Sequence, residues 1–199
     1  MCVMRRGLFE SIDTRHRVFI SFHHKNDSYY KELFEADFKD LFINESVKDG
    51  EYDEDLSDAY IKRLIREEKI SKSTVVVVLI GAETYKRKHV DWEIYAGLTE
   101  KAGGRSGLIG IILPTYYNNL DNILYPSNCE YNDETIPQRL LDNLKTGFAE
   151  IYTWDYIYQQ HLVGGEYYIK DCIDNAFSIK DDTNYKTDLS RPQMKKNRS

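Results

Sequence analysis

Residues 73–81 read STVVVVLIG, an unbroken apolar run between polar segments. Such a run is typical of a strand buried on both faces, as in a parallel sheet covered by helices. Similar apolar runs occur at residues 17–22, RVFISF, and at residues 108–113, LIGIIL. We therefore predict strands at all three positions, and a fourth at residues 148–154, where apolar and polar residues alternate.

Amphipathic segments separate these strands, with apolar residues recurring every three or four positions. The predicted helices cover residues 30–42, 56–65, 136–144 and 166–179, and a further one contains Glu93 and ends at Gly103-Gly104. Strands that alternate with helices predict an α/β fold with a mainly parallel sheet and helices on both faces. We expect the domain to span residues 17–179, after an extension at 1–16 and before a polar, disordered tail at 180–199.

The composition excludes several classes of function. The formal net charge of −6 argues against non-specific nucleic-acid binding, which needs a basic surface. No segment approaches the ~20 apolar residues of a membrane span, and the N-terminus does not resemble a signal peptide. The three cysteines form neither a disulfide framework nor a zinc motif. We expect a cytoplasmic protein with no metal, nucleic-acid partner or membrane partner.

Glu93 follows the strand at residues 73–81 and falls near the start of the next helix. In open α/β sheets the carboxyl edge of the strands is where ligands bind. A carboxylate at that edge can stabilise a developing positive charge. The alternative interpretation is a solvated acid near a helix N-terminus, where the dipole favours negative charge.

Two histidines and several aromatic residues flank the same predicted edge. His23 and His24 follow the first strand, and either can hydrogen-bond a ribose or a phosphate. Phe22, Tyr85 and Trp92 can stack on a nicotinamide or adenine ring. The alternatives are loop histidines that face solvent and aromatic rings that pack in the core.

Known phosphate-binding and metal-binding motifs do not account for these residues. Gly103, Gly104 and Gly107 lie after a helix and before a strand, the wrong order for a dinucleotide fingerprint, and indicate a helix end and a turn. There is no Walker motif. Adjacent histidines in one loop rarely converge on one ion, so we predict no metal site.

Five segments, taken in order along the chain, resemble the TIR-like domain of bacterial Thoeris anti-phage systems, a family once described only as a putative signal-transduction domain. They are RVFISFH (17–23), DAYIKRLI (58–65), STVVVVLIG (73–81) with Thr84, VDWEI (90–94) and LIGIIL (108–113). The resemblance implies a flavodoxin-like fold, in agreement with the predicted parallel sheet. It also implies that the chain cleaves NAD at the nicotinamide–ribose bond.

The resemblance places the family's catalytic glutamate at Glu93 and a loop that gates the site at residues 44–55. Many TIR enzymes carry Trp four residues before the glutamate; this chain has His89 there and Trp92 directly before the acid. No cofactor is expected, because NAD is the substrate. The substrate-binding residues that we expect are Phe22, His23, Asp27, Thr84, Tyr85, His89 and Trp92.

The family further implies a signalling role. The expected product is a cyclic, ADP-ribose-derived nucleotide that activates a separate effector, and the expected partners are other TIR subunits. One alternative is a non-catalytic TIR module that scaffolds signalling proteins. Another is a receiver-like phosphoacceptor domain, but that needs acids at the end of the first strand, which ends here in Phe22-His23.

Overall fold

The computed structural model describes residues 14–46, 68–117, 131–163 and 168–198. The predicted helix at 56–65 and most of the expected gating loop, residues 47–55, lie outside these residues. Residues 68–72 are helical and lead directly into the strand that contains the Val run.

Five parallel strands form one sheet in the order β2-β1-β3-β4-β5. At the centre, Val77 pairs with Ile20 on one side and with Ile109 on the other. This order and the helices on both faces confirm the predicted flavodoxin-like α/β fold. The strands are β1 (Arg17–Ser21), β2 (Ile43–Asn44), β3 (Val75–Ile80), β4 (Gly107–Ile112) and β5 (Ala149–Thr153).

Helices cover both faces of the sheet because alternate strand residues point to opposite sides. Val75 and Val77 pack in a core with Phe34 and Trp154, whereas Val76 and Val78 pack in a second core on the opposite face. The first core receives α1, α5 and α6, and the second receives α2 and α4. The helices are α1 (His24–Asp37), α2 (Lys88–Leu98), α3 (Pro114–Tyr117), α4 (Gln138–Lys145), α5 (Trp154–Leu162) and α6 (Tyr168–Asp181).

The structure differs from the sequence-based prediction at several elements. Helix α1 ends at Asp37 rather than near residue 42, and the two-residue strand β2 follows it. Helix α5 was not predicted, although Thr153 caps it by accepting a hydrogen bond from the Tyr156 N–H. The sequence does not reveal the start of this helix, because Trp154 fits the end of the preceding strand equally well.

Residues 182–198, which we call the strap, run over the outer surface of α4 and α2. Asn143 donates to the Asp188 carbonyl at 3.0 Å and accepts from the Asp188 N–H at 2.9 Å. Arg191 forms two hydrogen bonds with the Asp142 carboxylate. The structure thus differs from the disordered tail predicted at 180–199, because the strap's polar groups pair with polar groups on the domain.

Close backbone approach fixes the position of α6 on the sheet. A Cβ atom added to Gly107, the first residue of β4, would lie 2.3 Å from the Ala176 carbonyl oxygen in α6. The Gly107→Ala substitution should therefore push α6 off the sheet and destabilise the protein by about 1–3 kcal/mol. Urea unfolding measures the change.

Gly103→Ala is the matched control, since in the described structure no atom lies within 4 Å of the added Cβ. It should change the free energy of unfolding by less than about 0.5 kcal/mol. Equal stabilities for the two variants would contradict the close packing of α6 on β4.

Candidate active site at the carboxyl edge of the sheet

Glu93 and His89 lie four residues apart on α2, so both side chains face the end of β1. The Ser21 hydroxyl donates to Glu93 Oε2 at 2.6 Å, and His89 Nε2 lies 3.0 Å from the Phe22 carbonyl oxygen. Ser21 is the last residue of β1. The geometry therefore brings Glu93 to the carboxyl edge of the sheet, as the sequence predicted.

Glu93 is only 4% exposed, so the interpretation as a solvated surface acid is wrong. Its position in the helix also differs from the prediction. Since α2 begins at Lys88, Glu93 is its sixth residue. The helix dipole stabilises negative charge mainly within the first turn, and Glu93 lies beyond that turn. A buried carboxylate needs hydrogen-bond donors, and Ser21 supplies one.

His23 lies beneath the same edge and is 6% exposed, so the alternative of a solvent-facing loop histidine is wrong for this residue. Its Nδ1 is buried and has no hydrogen-bond partner. Burial, together with the nearby Arg87 and His89, lowers the pKa of His23 to about 4. The imidazole is therefore neutral at pH 7, with one ring nitrogen available for a hydrogen bond.

Three rings line up between β1 and α2. The Phe22 and His24 ring centroids are 4.3 Å apart, and those of His24 and His89 are 5.5 Å apart. Phe22 itself is 3% exposed and belongs to the core. The core-packing alternative therefore holds for Phe22, whereas the imidazole rings of His24 and His89 lie closer to the surface.

Asp27 is completely buried and joins the start of α1 to the segments that follow β3 and β4 at this edge. Its carboxylate accepts from the Thr84 hydroxyl at 3.3 Å and from the Thr115 hydroxyl at 2.9 Å. Thr84 is also completely buried, and it accepts from the Gly81 N–H. Both residues were predicted to bind substrate, but their buried contacts assign them to the frame of the site.

Trp92 and Tyr85 were predicted to flank the pocket. The structure turns Trp92 to the outer side of α2, where its Nε1 donates to the Met194 carbonyl of the strap at 2.9 Å. It therefore does not join Glu93 at the sheet edge, because adjacent helix residues point about 100° apart. Tyr85 is half-buried in the short 3₁₀ turn Thr84–Lys86, beside the Lys86 ammonium.

Two residues of this edge were missed in the sequence. Ser21 is a small polar residue at a strand end, a signal that is common in parallel sheets and does not single it out. Arg87, directly before α2, pairs with Glu83 at 2.9 Å and keeps its buried Nε without a partner. The contact of Ser21 is with Glu93, which is distant along the chain. The contact of Arg87 with Glu83 depends on the turn that precedes α2.

The described residues contain no group of three or more His, Cys, Asp or Glu side chains that could hold a metal ion. Nor, among those residues, is any helix both long and apolar enough to cross a membrane.

Replacing Asp27 tests its role in the frame. Asp27→Ala leaves the hydroxyls of Thr84 and Thr115 without their acceptor and should destabilise the protein by roughly 2–3 kcal/mol. Asp27→Asn keeps an acceptor for Thr115 and should change stability by less than about 1 kcal/mol at pH 5. Urea unfolding of both variants checks this, and equal losses for Ala and Asn would contradict it.

The pH dependence of the two proteins should also differ. Burial raises the pKa of Asp27 above its ordinary value, so the folded protein binds this proton more tightly than the unfolded chain. The wild type therefore loses this contribution to stability as pH rises from about 4 through the raised pKa. Because Asp27→Asn lacks the titration, its stability relative to wild type should increase over that range.

His23 should produce the opposite trend. With a folded pKa of about 4 against an ordinary value of 6.5, the unfolded chain binds the proton more readily. Stability is therefore lost as pH falls from about 6.5 to about 4. In His23→Gln, the free energy of unfolding should depend less steeply on pH in this window. Urea titrations at several pH values measure the slope, and parallel curves for the two proteins would contradict the assignment.

Comparison with known proteins identifies the family. Residues 19–118, half of the chain, match the family described as Thoeris protein ThsB, TIR-like domain. No curated protein matches the chain. The matched segment contains the end of β1 and the whole of β3, α2 and β4, and with them Ser21, His23, His89 and Glu93. The chain therefore belongs to the TIR-like domain family of the Thoeris protein ThsB, and its role lies in anti-phage defence signalling.

Proposed function

We propose that this protein cleaves NAD at the bond between nicotinamide and ribose, with Glu93 as the catalytic residue. The observation that supports this most is a carboxylate that is 4% exposed at the carboxyl edge of a parallel sheet and oriented by the Ser21 hydroxyl at 2.6 Å. This edge is the usual place for a ligand in such a fold.

The reaction suits a single carboxylate. When the bond between ribose C1′ and the nicotinamide nitrogen breaks, both electrons move to the ring and neutralise its positive charge. The remaining sugar resembles an oxocarbenium ion, as in glycoside hydrolysis. A carboxylate fixed beside that carbon stabilises the positive charge, and most strongly where water is excluded. No strong general acid is needed, because the leaving group departs neutral.

The residues around Glu93 match the chemistry of the substrate. Since a carbonyl oxygen only accepts, His89 Nε2 carries a proton in its contact with Phe22, and in the tautomer with that proton Nδ1 is an acceptor. Acceptors suit the hydroxyls of a ribose. The cationic Arg87 lies at the start of α2, close enough to His23 to lower its pKa, and suits the diphosphate.

The fate of the sugar cation sets the product. Attack by water gives ADP-ribose and releases a proton. Attack by a hydroxyl or a ring nitrogen of the same molecule gives a cyclic isomer, again with loss of one proton. We propose the cyclic product, since it can act as a diffusible signal for a separate effector protein. We also propose that a neighbouring subunit completes the site, so the isolated protein should turn over slowly.

Chromatography with mass spectrometry of NAD incubated with the pure protein, with and without lysate from phage-infected cells, tests the proposal. Glu93→Gln keeps the shape of the side chain and removes its charge. NAD cleavage should fall by about two orders of magnitude or more, because the sugar cation loses its counter-charge. Circular dichroism and the melting temperature should stay close to those of the parent protein.

Glu68→Gln is the matched control, because Glu68 is exposed and pairs with Lys72 on the surface. It should cleave NAD at the parent rate. Ser21→Ala leaves the carboxylate in place without its donor, and its loss of activity should be smaller than that of Glu93→Gln. If Glu93→Gln folds and cleaves NAD at the parent rate, or if the parent cleaves none under either condition, the non-catalytic scaffold becomes the better interpretation.

A further inference from the structure

The strap contacts the outer face of the helix that bears Glu93. The Met194 N–H donates to Asp91 Oδ2 at 2.8 Å, and Trp92 Nε1 donates to the Met194 carbonyl at 2.9 Å. Both backbone groups of one strap residue are thus held by the two residues that directly precede Glu93.

The strap also reaches the first turn of α2. The first N–H groups of a helix have no partner within the helix, and Arg87, at the N-cap, supplies no side-chain acceptor. Asn197 Oδ1 instead accepts from the Lys88 N–H at 2.9 Å. The Arg198 N–H donates to the Lys86 carbonyl at 2.9 Å. A residue more than a hundred positions away therefore caps this helix.

A buried arginine connects these contacts to α4. Arg139 is completely buried; its Nε donates to Asp91 Oδ1 at 2.9 Å, and one terminal nitrogen donates to the Arg191 carbonyl at the same distance. Arg191 in turn pairs with Asp142 on α4. Asp91 is thus fixed from two sides, by Arg139 and by the strap.

Two of the faces of α2 contact different parts of the structure. Asp91 and Trp92 bind the strap, whereas His89 and Glu93 contact the end of β1. A helix transmits a shift of one face to the other, because its backbone is rigid over this length. Small displacements of a reacting group lower the rate strongly: about 1 Å can cost roughly a hundredfold.

We propose that residues 191–198 are a positioning element that sets the place of Glu93 through Asp91, Trp92 and the first turn of α2. This role rests on the proposed function, since it concerns the same carboxylate. The segment is suited to it because its described contacts with α2 are hydrogen bonds, while the strap's apolar contacts with the core come from Tyr185 and Leu189. Removing residues 191–199 therefore spares the core.

The test compares the full chain with a chain that ends at Ser190. Hydrogen exchange, followed by mass spectrometry of peptides that cover residues 86–94, reports on the helix independently of NAD. The truncated chain should keep its circular dichroism spectrum but lose about tenfold or more of its protection in these peptides. Its kcat for NAD cleavage should fall by about tenfold, with KM changed less than twofold.

Point variants in the full chain distinguish the effect of losing the Asn197 cap from a general loss of order caused by the truncation. Asn197→Ala removes the acceptor and should weaken protection in the first turn of α2. Asn197→Asp keeps an acceptor there and should restore both protection and kcat. Lys196→Ala changes an exposed neighbour and should behave as the parent protein.

Parent-level protection of residues 86–94 in the chain that ends at Ser190 would overturn the proposal, and so would a rise in its kcat. Failure of the full chain to cleave NAD under any condition would instead refute the proposed function. In that case the exchange experiment still decides whether the strap holds α2.

Discussion

The buried carboxylate of Asp27 is the constraint on which the arrangement of the candidate site depends. It is fully enclosed, accepts from Thr84 and Thr115, and lies so close to Gly81 that a Cβ atom there would be 2.3 Å from Oδ1. These contacts join the start of α1 to the loops that follow β3 and β4. Burial raises the pKa of Asp27, so this geometry has an energetic cost, which the packing of the two cores offsets.

Helix α2, which bears Glu93, is contacted on three of its faces. One face, with Val90 and Ile94, is buried in the core, a second brings His89 and Glu93 to β1, and a third binds the strap. A helix contacted on three sides has little freedom to move. The buried ion pair between Asp91 and Arg139 is one of these contacts, and much of its attraction is lost to desolvation.

The sequence predicted the sheet and the position of Glu93 at its carboxyl edge, because the signals are local. The unbroken apolar runs of β3 and β4 admit few alternatives to buried strands, and an acid that follows such a strand falls at the ligand-binding edge. The strap and the buried role of Asp27 could not be predicted in this way. Both depend on polar groups that find partners far away in the chain, as Asn143 does with Asp188, and in the sequence such residues cannot be distinguished from solvated ones.

The orientation of Trp92 changes what the edge can recognise. Its indole is held by the strap on the outer side of α2, so the rings that accompany Glu93 on the inner side are those of His24, His89 and the buried Phe22. An indole binds a flat ligand mainly through its face, whereas an imidazole also offers a nitrogen donor or acceptor at its edge. Under the proposed function, the unpaired Nδ1 of His23 and the Glu93 carboxylate at the same edge favour hydrogen bonding to sugar hydroxyls over stacking. The presence of His89 in place of Trp therefore fits the proposed binding of NAD through its ribose.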